Sequence, residues 1–345
     1  MSSVVLVTGI SGELGLRLAS TLAEDPGVDR VIGVDTVPPA RSRLGRVEFV
    51  RADIRNPLIA KVIAAAAVDT VVHLSISAAP MAVGGRATMA EMNVIGTMQL
   101  LAACQKSPQV RRFVVMSSTA VYGSSSSDPA MFTEEAEPPS LPRVGYAKDS
   151  IEIEGYVRGF GRRRPDVTVS QLRFANLVGP TVDTAVTRYF ALPVVPTVLG
   201  FDPRLQFLHE DDAVEVLRLA ARTDRPGTVN VAGNGVVSLS QAIRRAGRIE
   251  LPIPSPAVSG VARLLRHTGR IDVSPEQTRL LNFGRVVDTA RLREEFGYRP
   301  RFSTVQAFDD FVRGRGLVGI VDSRLVEAAE RRVYGLLTGR ETAGA

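Results

Sequence analysis

The ordered pattern of the chain opens on four consecutive apolar residues, Val4-Val5-Leu6-Val7, which read as a strand buried on both faces. A glycine-spaced turn follows, Thr8-Gly9-Ile10-Ser11-Gly12-Glu13-Leu14-Gly15, and then Leu14, Leu16, Leu18, Ala19 and Leu22 recur at helical spacing. The alternation continues. Further strands are expected over 30–35, 47–51, 70–74, 112–117, 168–174 and 228–231. Helices are expected over 57–67, 87–106, 146–160 and from the 207–212 stretch to Ala221. Strands alternating with helices in this way specify an α/β chain with a doubly wound parallel sheet.

In such sheets ligands lie beyond the carboxyl ends of the strands, so Gly9, Asp35, Asp53, Leu74 and Ser118 should converge on one crevice. Strand, glycine turn and helix in that order form a Rossmann-type dinucleotide cradle. Gly9 turns the chain, Gly12 lets the backbone approach a pyrophosphate, and Gly15 lets helix and strand pack closely. Asp35 lies 20 positions after Gly15, where a carboxylate accepts from ribose hydroxyls and repels a 2′-phosphate, favouring NAD over NADP. Arg41 and Arg43 follow it and act against that preference. His73 sits within an apolar run and reads as a structural histidine.

After about residue 178 the pattern loosens. Residues 1–178 read as the NAD-binding Rossmann domain, with strand and helix returns near 205–232 and 285–292. Residues 179–320 read mainly as a smaller C-terminal substrate lobe, with insertions at 180–205 and 235–285, and 321–345 as a C-terminal helix and flexible tail. The loop 124–142, rich in serine, proline and acids, is expected over the crevice mouth.

Composition changes this picture little. With 345 residues and 45% hydrophobic content the chain can bury a sizeable core. A single cysteine, Cys104, excludes an intramolecular disulfide. No apolar run reaches the roughly 20 residues of a membrane span, and the first strand begins too early to follow a signal peptide; a cytoplasmic protein without membrane contact is expected. The net charge of +6 and pI of about 9.9 are carried by dispersed arginines. The densest run, Arg162-Arg163-Arg164, ends a helix, where cations suit the dipole. No nucleic-acid motif accompanies the charge, so a small anionic ligand is expected instead.

The chain resembles the extended short-chain dehydrogenases/reductases, and within them the NAD-dependent epimerase/dehydratase family, UDP-glucose 4-epimerase-like and of actinobacterial type. The resemblance covers roughly positions 4 to 310. It rests on Thr8-Gly9-x-x-Gly12-x-x-Gly15, Asp35, Asp53-Ile54, Val72-His73-Leu74, Asn93-Val94-x-Gly96-Thr97 and Ser117-Ser118 through Val121-Tyr122-Gly123. It continues with Arg173-Phe174-Ala175-Asn176 and Gly179-Pro180, Phe207-Leu208-His209 with Asp211-Asp212, Asp288-Thr289-Ala290-Arg291, and Phe296-Gly297-Tyr298-Arg299-Pro300.

This resemblance implies that Ser118 holds a substrate hydroxyl and Tyr146 is the acid/base. It implies NAD contacts at Gly9, Ile10, Ser11, Gly12, Gly15, Asp35, Asp53, Ile54, Leu74, Asn93 and Tyr146. Asn176, Arg204 and Arg279 would touch the substrate, a small molecule of the nucleotide-sugar class; no metal is implied. A homodimer formed through the helices near Ala87 and Tyr146 is implied as well.

One position departs from the family. Four residues after the tyrosine, where a lysine lowers its pKa, stands Ser150. An ordinary tyrosine has a pKa of about 10, so roughly one in a thousand is phenolate at pH 7. Lys148 cannot substitute, because i and i+2 do not share a helix face. Thr119-Ala120 after Ser118, in place of an Asp-Glu pair, disfavours a 4,6-dehydratase. Three readings follow: an NAD-dependent nucleotide-sugar epimerase, a dehydrogenase or reductase on another alcohol or ketone, and a catalytically impaired NAD-binding structural or sensor protein.

Overall fold

The computed structural model describes residues 3–76, 85–137, 142, 145–258, 260 and 275–317. The expected C-terminal helix and tail lie outside these residues, as do parts of the loops at 75–85 and 124–142.

The main sheet has seven strands, all parallel: β1 (Val4–Thr8), β2 (Arg30–Asp35), β3 (Glu48–Arg51), β4 (Thr70–His73), β5 (Arg112–Ser118), β6 (Thr168–Phe174) and β11 (Gly227–Val231). Their order is β11-β6-β5-β4-β1-β2-β3, so the strand sequence reverses between β1 and β4. That reversal is the switch point at which such sheets bind ligands.

Alternate residues of β1 enter opposite cores, as the strand period of two requires. Val5 and Val7 join Leu16, Leu18 and Leu22 of α1 (Glu13–Glu24) and Val214 and Leu217 of α7 (Glu210–Arg222). Val4 and Leu6 join Ile59 and Ile63 of α2 (Leu58–Ala65), Leu100 and Leu101 of α4 (Gly96–Lys106), and Ile153, Val157 and Phe160 of α5 (Gly145–Arg163). Helices thus cover both faces of the sheet.

A third core lies in the region between 178 and 311. Phe207 of β10 (Phe207–His209) stacks on Phe308 of a later helix, Thr304–Gly314, at 5.5 Å, with Phe190 edge-on to both. Pairs of short strands surround it. β7 (Asn176–Val178) pairs with β10, β8 (Val194–Val198) with β13 (Ile249–Ile253), and β9 (Arg204–Leu205) with β12 (Val237–Ser238).

Two sequence expectations change. The single helix over 87–106 is instead α3 (Arg86–Ala90), a π-helical turn over Glu91–Ile95, and α4. The turn sits where Asn93 is fully buried with its amide donating to Asp149 Oδ2 at 3.3 Å, and where Gly96 presses on Ile54. Buried polar pairing and close packing therefore override regular helix spacing, and such turns recur at functional sites. The 124–142 loop, which reads as poor in core-forming residues, carries a buried anchor. Phe132 stacks on Tyr122 at 4.7 Å and hydrogen-bonds to the backbone of Val286 and Asp288.

Arg164 accounts for part of the basic run. Its guanidinium donates to the carbonyls of Cys104, Ser107 and Val110 at the end of α4, and pairs with Asp166. Among the described residues no helix is long and apolar enough to cross a membrane.

Candidate active site

Each glycine of the first turn has its own steric reason. Gly9 has φ +77°, and a Cβ there would lie 2.9 Å from the backbone of Leu74 and Ser75. A Cβ on Gly15 would come within 2.3 Å of the Gly9 carbonyl, so this residue sets how closely α1 approaches β1. Gly12 differs. Its φ is −76°, and a Cβ there would meet nothing nearer than the Gly9 carbonyl at 3.5 Å. The fold itself does not require glycine at 12, which leaves close approach of a ligand as its physical use. No side chain caps this end of α1, so its helix-terminal N–H groups face the cradle.

Asp35 stands at the carboxyl end of β2 and closes the same cradle. One oxygen accepts from Ser11 N at 3.0 Å and the other from Thr36 N at 2.7 Å. Arg43 pairs with Glu13, the first residue of α1, at 2.8 Å. Asp53 instead grips Arg55, with Nη2 at 2.6 Å, and that pairing holds its carboxyl below the usual range. Ile10, Ile54 and Leu74 are buried, Ile10 against Gly33 and Ile54 against Gly96.

Beyond the cradle, β5 ends at Ser118, whose Oγ accepts from Ala120 N at 3.1 Å and caps the short 3₁₀ turn Thr119–Tyr122. Tyr146 occupies the first turn of α5, half-buried, with the hydroxyls of Ser118 and Ser150 near enough to its phenol to favour its ionised form. The structure therefore brings Ser118 and Tyr146 together. Lys148 points outward and is exposed. Ser150 donates back to the Tyr146 carbonyl at 2.9 Å and supplies no charge.

The charges that do face this turn come from elsewhere. Glu276, on α9 (Pro275–Phe283), accepts from Ala147 N at 3.3 Å. Asp149 is buried and held by Arg86 at 2.6 Å. Arg285 donates to the Gly123 carbonyl at 2.7 Å. Burial pushes the Tyr146 phenol up to about 12; the two serine hydroxyls pull against this, while Glu276 and Asp149 add to it. Burial also lifts the Glu276 carboxyl, opposed by Arg285, the Ala147 N–H and Arg86. Arg285 is drawn down to about 10 by burial, with Glu276, Asp128 and Tyr146 opposing, and is a cation at neutral pH. Among the described residues no cluster has the makings of a metal site.

The remaining expected residues are placed less centrally. Asn176 opens β7, half-buried, in register with Phe207. Arg204 and Arg279 are both exposed, Arg204 reaching the Ala130 carbonyl at 3.4 Å. Sequence reasoning missed Glu276, Arg285, Asp149 and Arg86. Asp149 and Arg86 stand on elements already singled out, but nothing in their spacing announces a pair. Glu276 and Arg285 lie after residue 178, where the pattern loosens and neither was singled out. His73 is structural as expected, bridging Thr8 at 2.8 Å and Thr97 at 2.9 Å.

Residues 5–232 match the model of the NAD dependent epimerase/dehydratase family. An uncharacterized protein of Mycobacterium tuberculosis is 51% identical over 336 residues, covering 96% of this chain and 89% of that protein. Among solved structures, the UDP-glucose 4-epimerase of Thermotoga maritima with UDP-glucose superposes with a TM-score of 0.69 at 20% identity, over 90% of this chain and 98% of that one. The UDP-glucuronic acid 4-epimerase of Bacillus cereus in complex with NAD gives 0.66 at 20% identity, over 92% and 99%. The dTDP-glucose 4,6-dehydratase of Bacillus anthracis in complex with NAD gives 0.70 at 19% identity, over 91% and 97%. At these identities the structural likeness is one of fold. The match across two-thirds of the sequence, together with the glycine cradle and its acid, makes the chain a member of the NAD dependent epimerase/dehydratase family.

Proposed function

We propose that this chain binds NAD in the cradle and a nucleotide sugar beyond it, and that it inverts a carbinol centre of that sugar as an epimerase. The observation that carries the reading is the meeting of Ser118, at the end of β5, with Tyr146, on the first turn of α5. When bound, NAD supplies the reversible oxidation of a carbinol carbon. The backbone at Gly12 and the N-terminus of α1 receive the pyrophosphate. Asp35 accepts from the ribose hydroxyls. Ser118 Oγ orients the substrate hydroxyl, and Tyr146 Oη takes its proton and later returns it. Residues 179–320 would supply most contacts to the sugar nucleotide. Ile95 and Met98, 41% and 39% exposed on the 86–106 helix, suit a homodimer contact, which sedimentation at micromolar concentration would detect.

The test is formation of the 4-epimer from UDP-glucose or UDP-glucuronic acid with NAD present. Tyr146→Phe is expected to lower the rate at least about 100-fold, as loss of a general acid/base does. A Tyr146→Phe variant as fast as the parent overturns the reading.

A second reading has its own observation. With Ser150 tied to a backbone carbonyl and the phenol at about 12, roughly one Tyr146 in a hundred thousand is phenolate at pH 7. On this reading the chain holds NAD without appreciable turnover at neutral pH. Stoichiometric NAD binding with no product from any sugar nucleotide supports it.

A further inference from the structure

The helix turn that carries Tyr146 is completed by a side chain from far along the sequence. Glu276 Oε2 lies 3.3 Å from Ala147 N, and a Cβ added to Gly145 would come within 2.7 Å of the same oxygen. The carboxylate therefore rests against the residue before Tyr146 and the residue after it. Nine positions on, Arg285 donates from Nε to the Gly123 carbonyl at 2.7 Å and from Nη2 to Ser124 Oγ at 3.2 Å. Those acceptors immediately follow the 3₁₀ turn that Ser118 caps. One short stretch, 276–285, thus delivers a carboxylate to the element carrying Tyr146 and a guanidinium to the element carrying Ser118. Among the described residues, the other charges facing the site are Asp149 on α5, already held by Arg86, and Asp128 beside Arg285.

We propose that Glu276 is a positioning residue that favours the protonated phenol of Tyr146, with Arg285 holding the segment that carries it against the turn after Ser118, at a site where position 150 supplies no cation. The inference rests on the reading of Tyr146 as the proton-transfer group. Its physical basis is elementary: a neighbouring anion disfavours a second anion, and a neighbouring cation favours it. Burial of the phenol strengthens both effects, because fewer waters screen them. The direction of the Tyr146 shift agrees, since the Glu276 charge adds to the effect of burial. Arg285 feels both Glu276 and Tyr146.

The test is the titration of Tyr146 itself, which requires no substrate. The chain has six tyrosines, and the ultraviolet difference between wild type and Tyr146→Phe isolates one of them. Rapid pH jumps read the signal before alkaline unfolding. Glu276→Gln keeps an oxygen to accept from Ala147 N and removes the charge. It is expected to lower the apparent pKa of Tyr146 by on the order of one unit, a tenfold gain in phenolate. Glu276→Asp, which keeps the charge, is expected to titrate near wild type. Unchanged titration in Glu276→Gln, with circular dichroism unaltered, overturns the proposal. So does a shift in Glu276→Asp equal to that in Glu276→Gln, which would mark the effect as packing. A shifted titration in Glu276→Gln alongside full turnover in Tyr146→Phe would leave this inference standing and remove the catalytic role of Tyr146.

Discussion

At the scale of single residues, Ser150 separates cofactor binding from turnover. A serine hydroxyl in a helix readily donates to the carbonyl four residues back, and Ser150 does so at 2.9 Å. Ser150→Lys would place an ammonium one helical turn from Tyr146, with Glu276 and Asp149 nearby to compensate its burial. The variant is expected to raise 4-epimer formation at least about tenfold at pH 7 and to move the rate profile toward neutrality, the direction an added cation gives a phenol; rate measurements from pH 6 to 10 check it. A second residue governs acid stability. His73 is fully buried between two threonine hydroxyls, and burial lowers its pKa to about 3. Because the folded value lies below the unfolded one, its contribution is complete above about pH 6.5 and is lost as pH falls toward 3, at about 1.4 kcal/mol per unit. Urea midpoints at pH 7 and 5 should therefore differ more in wild type than in His73→Gln. The outward direction of Lys148 and the structural role of His73 were legible in the sequence, since both follow from local spacing. Glu276 was not, because its contact with Ala147 spans 129 residues and no period links them.

At the scale of elements, the glycine turn divides into a folding part and a binding part. Gly15→Ala forces a Cβ to 2.3 Å from the Gly9 carbonyl and is expected to cost about 1–3 kcal/mol, as overpacking does. Thermal unfolding should register this as a fall of several degrees. Gly12→Ala meets no such contact and has an ordinary φ of −76°, so its melting temperature should hold while NAD affinity falls. Calorimetric titration with NAD, beside a melting curve, distinguishes the two. The cradle could be read from the sequence because strand, turn and helix are contiguous. The π-helical turn over Glu91–Ile95 could not, because its cause is the packing of Asn93 and Gly96 against Asp149 and Ile54 on other elements. Some of the family-like motifs also proved to be clamps. Asp212 is buried and accepts from Tyr298 Oη at 2.6 Å and Arg301 N at 2.8 Å, tying α7 to the 296–302 segment. Tyr122 is buried between Phe132 and Arg173 and donates to Asn230 at 2.8 Å.

At the scale of the whole molecule, the sheet fixes where chemistry can occur. Reversal of strand order between β1 and β4 places Gly9, Asp35 and Ser118 at one edge, at the carboxyl ends of their strands. The third core, around Phe190, Phe207, Phe308 and Phe311, gathers the short strand pairs of the region after 178, and from that region Glu276 and Arg285 reach Ala147 and Gly123. Hydrophobic periodicity specified the sheet and both of its covering layers. It left the region after 178 vague, because short strands paired two by two carry little repeating pattern. The most direct test of the central claim uses UDP-glucose deuterated at carbon 4, incubated with the full chain and NAD and analysed by mass spectrometry. The account predicts a 4-epimer that keeps its deuterium and no accumulation of reduced cofactor. Deuterium appearing in released reduced cofactor, with no epimer formed, would contradict it.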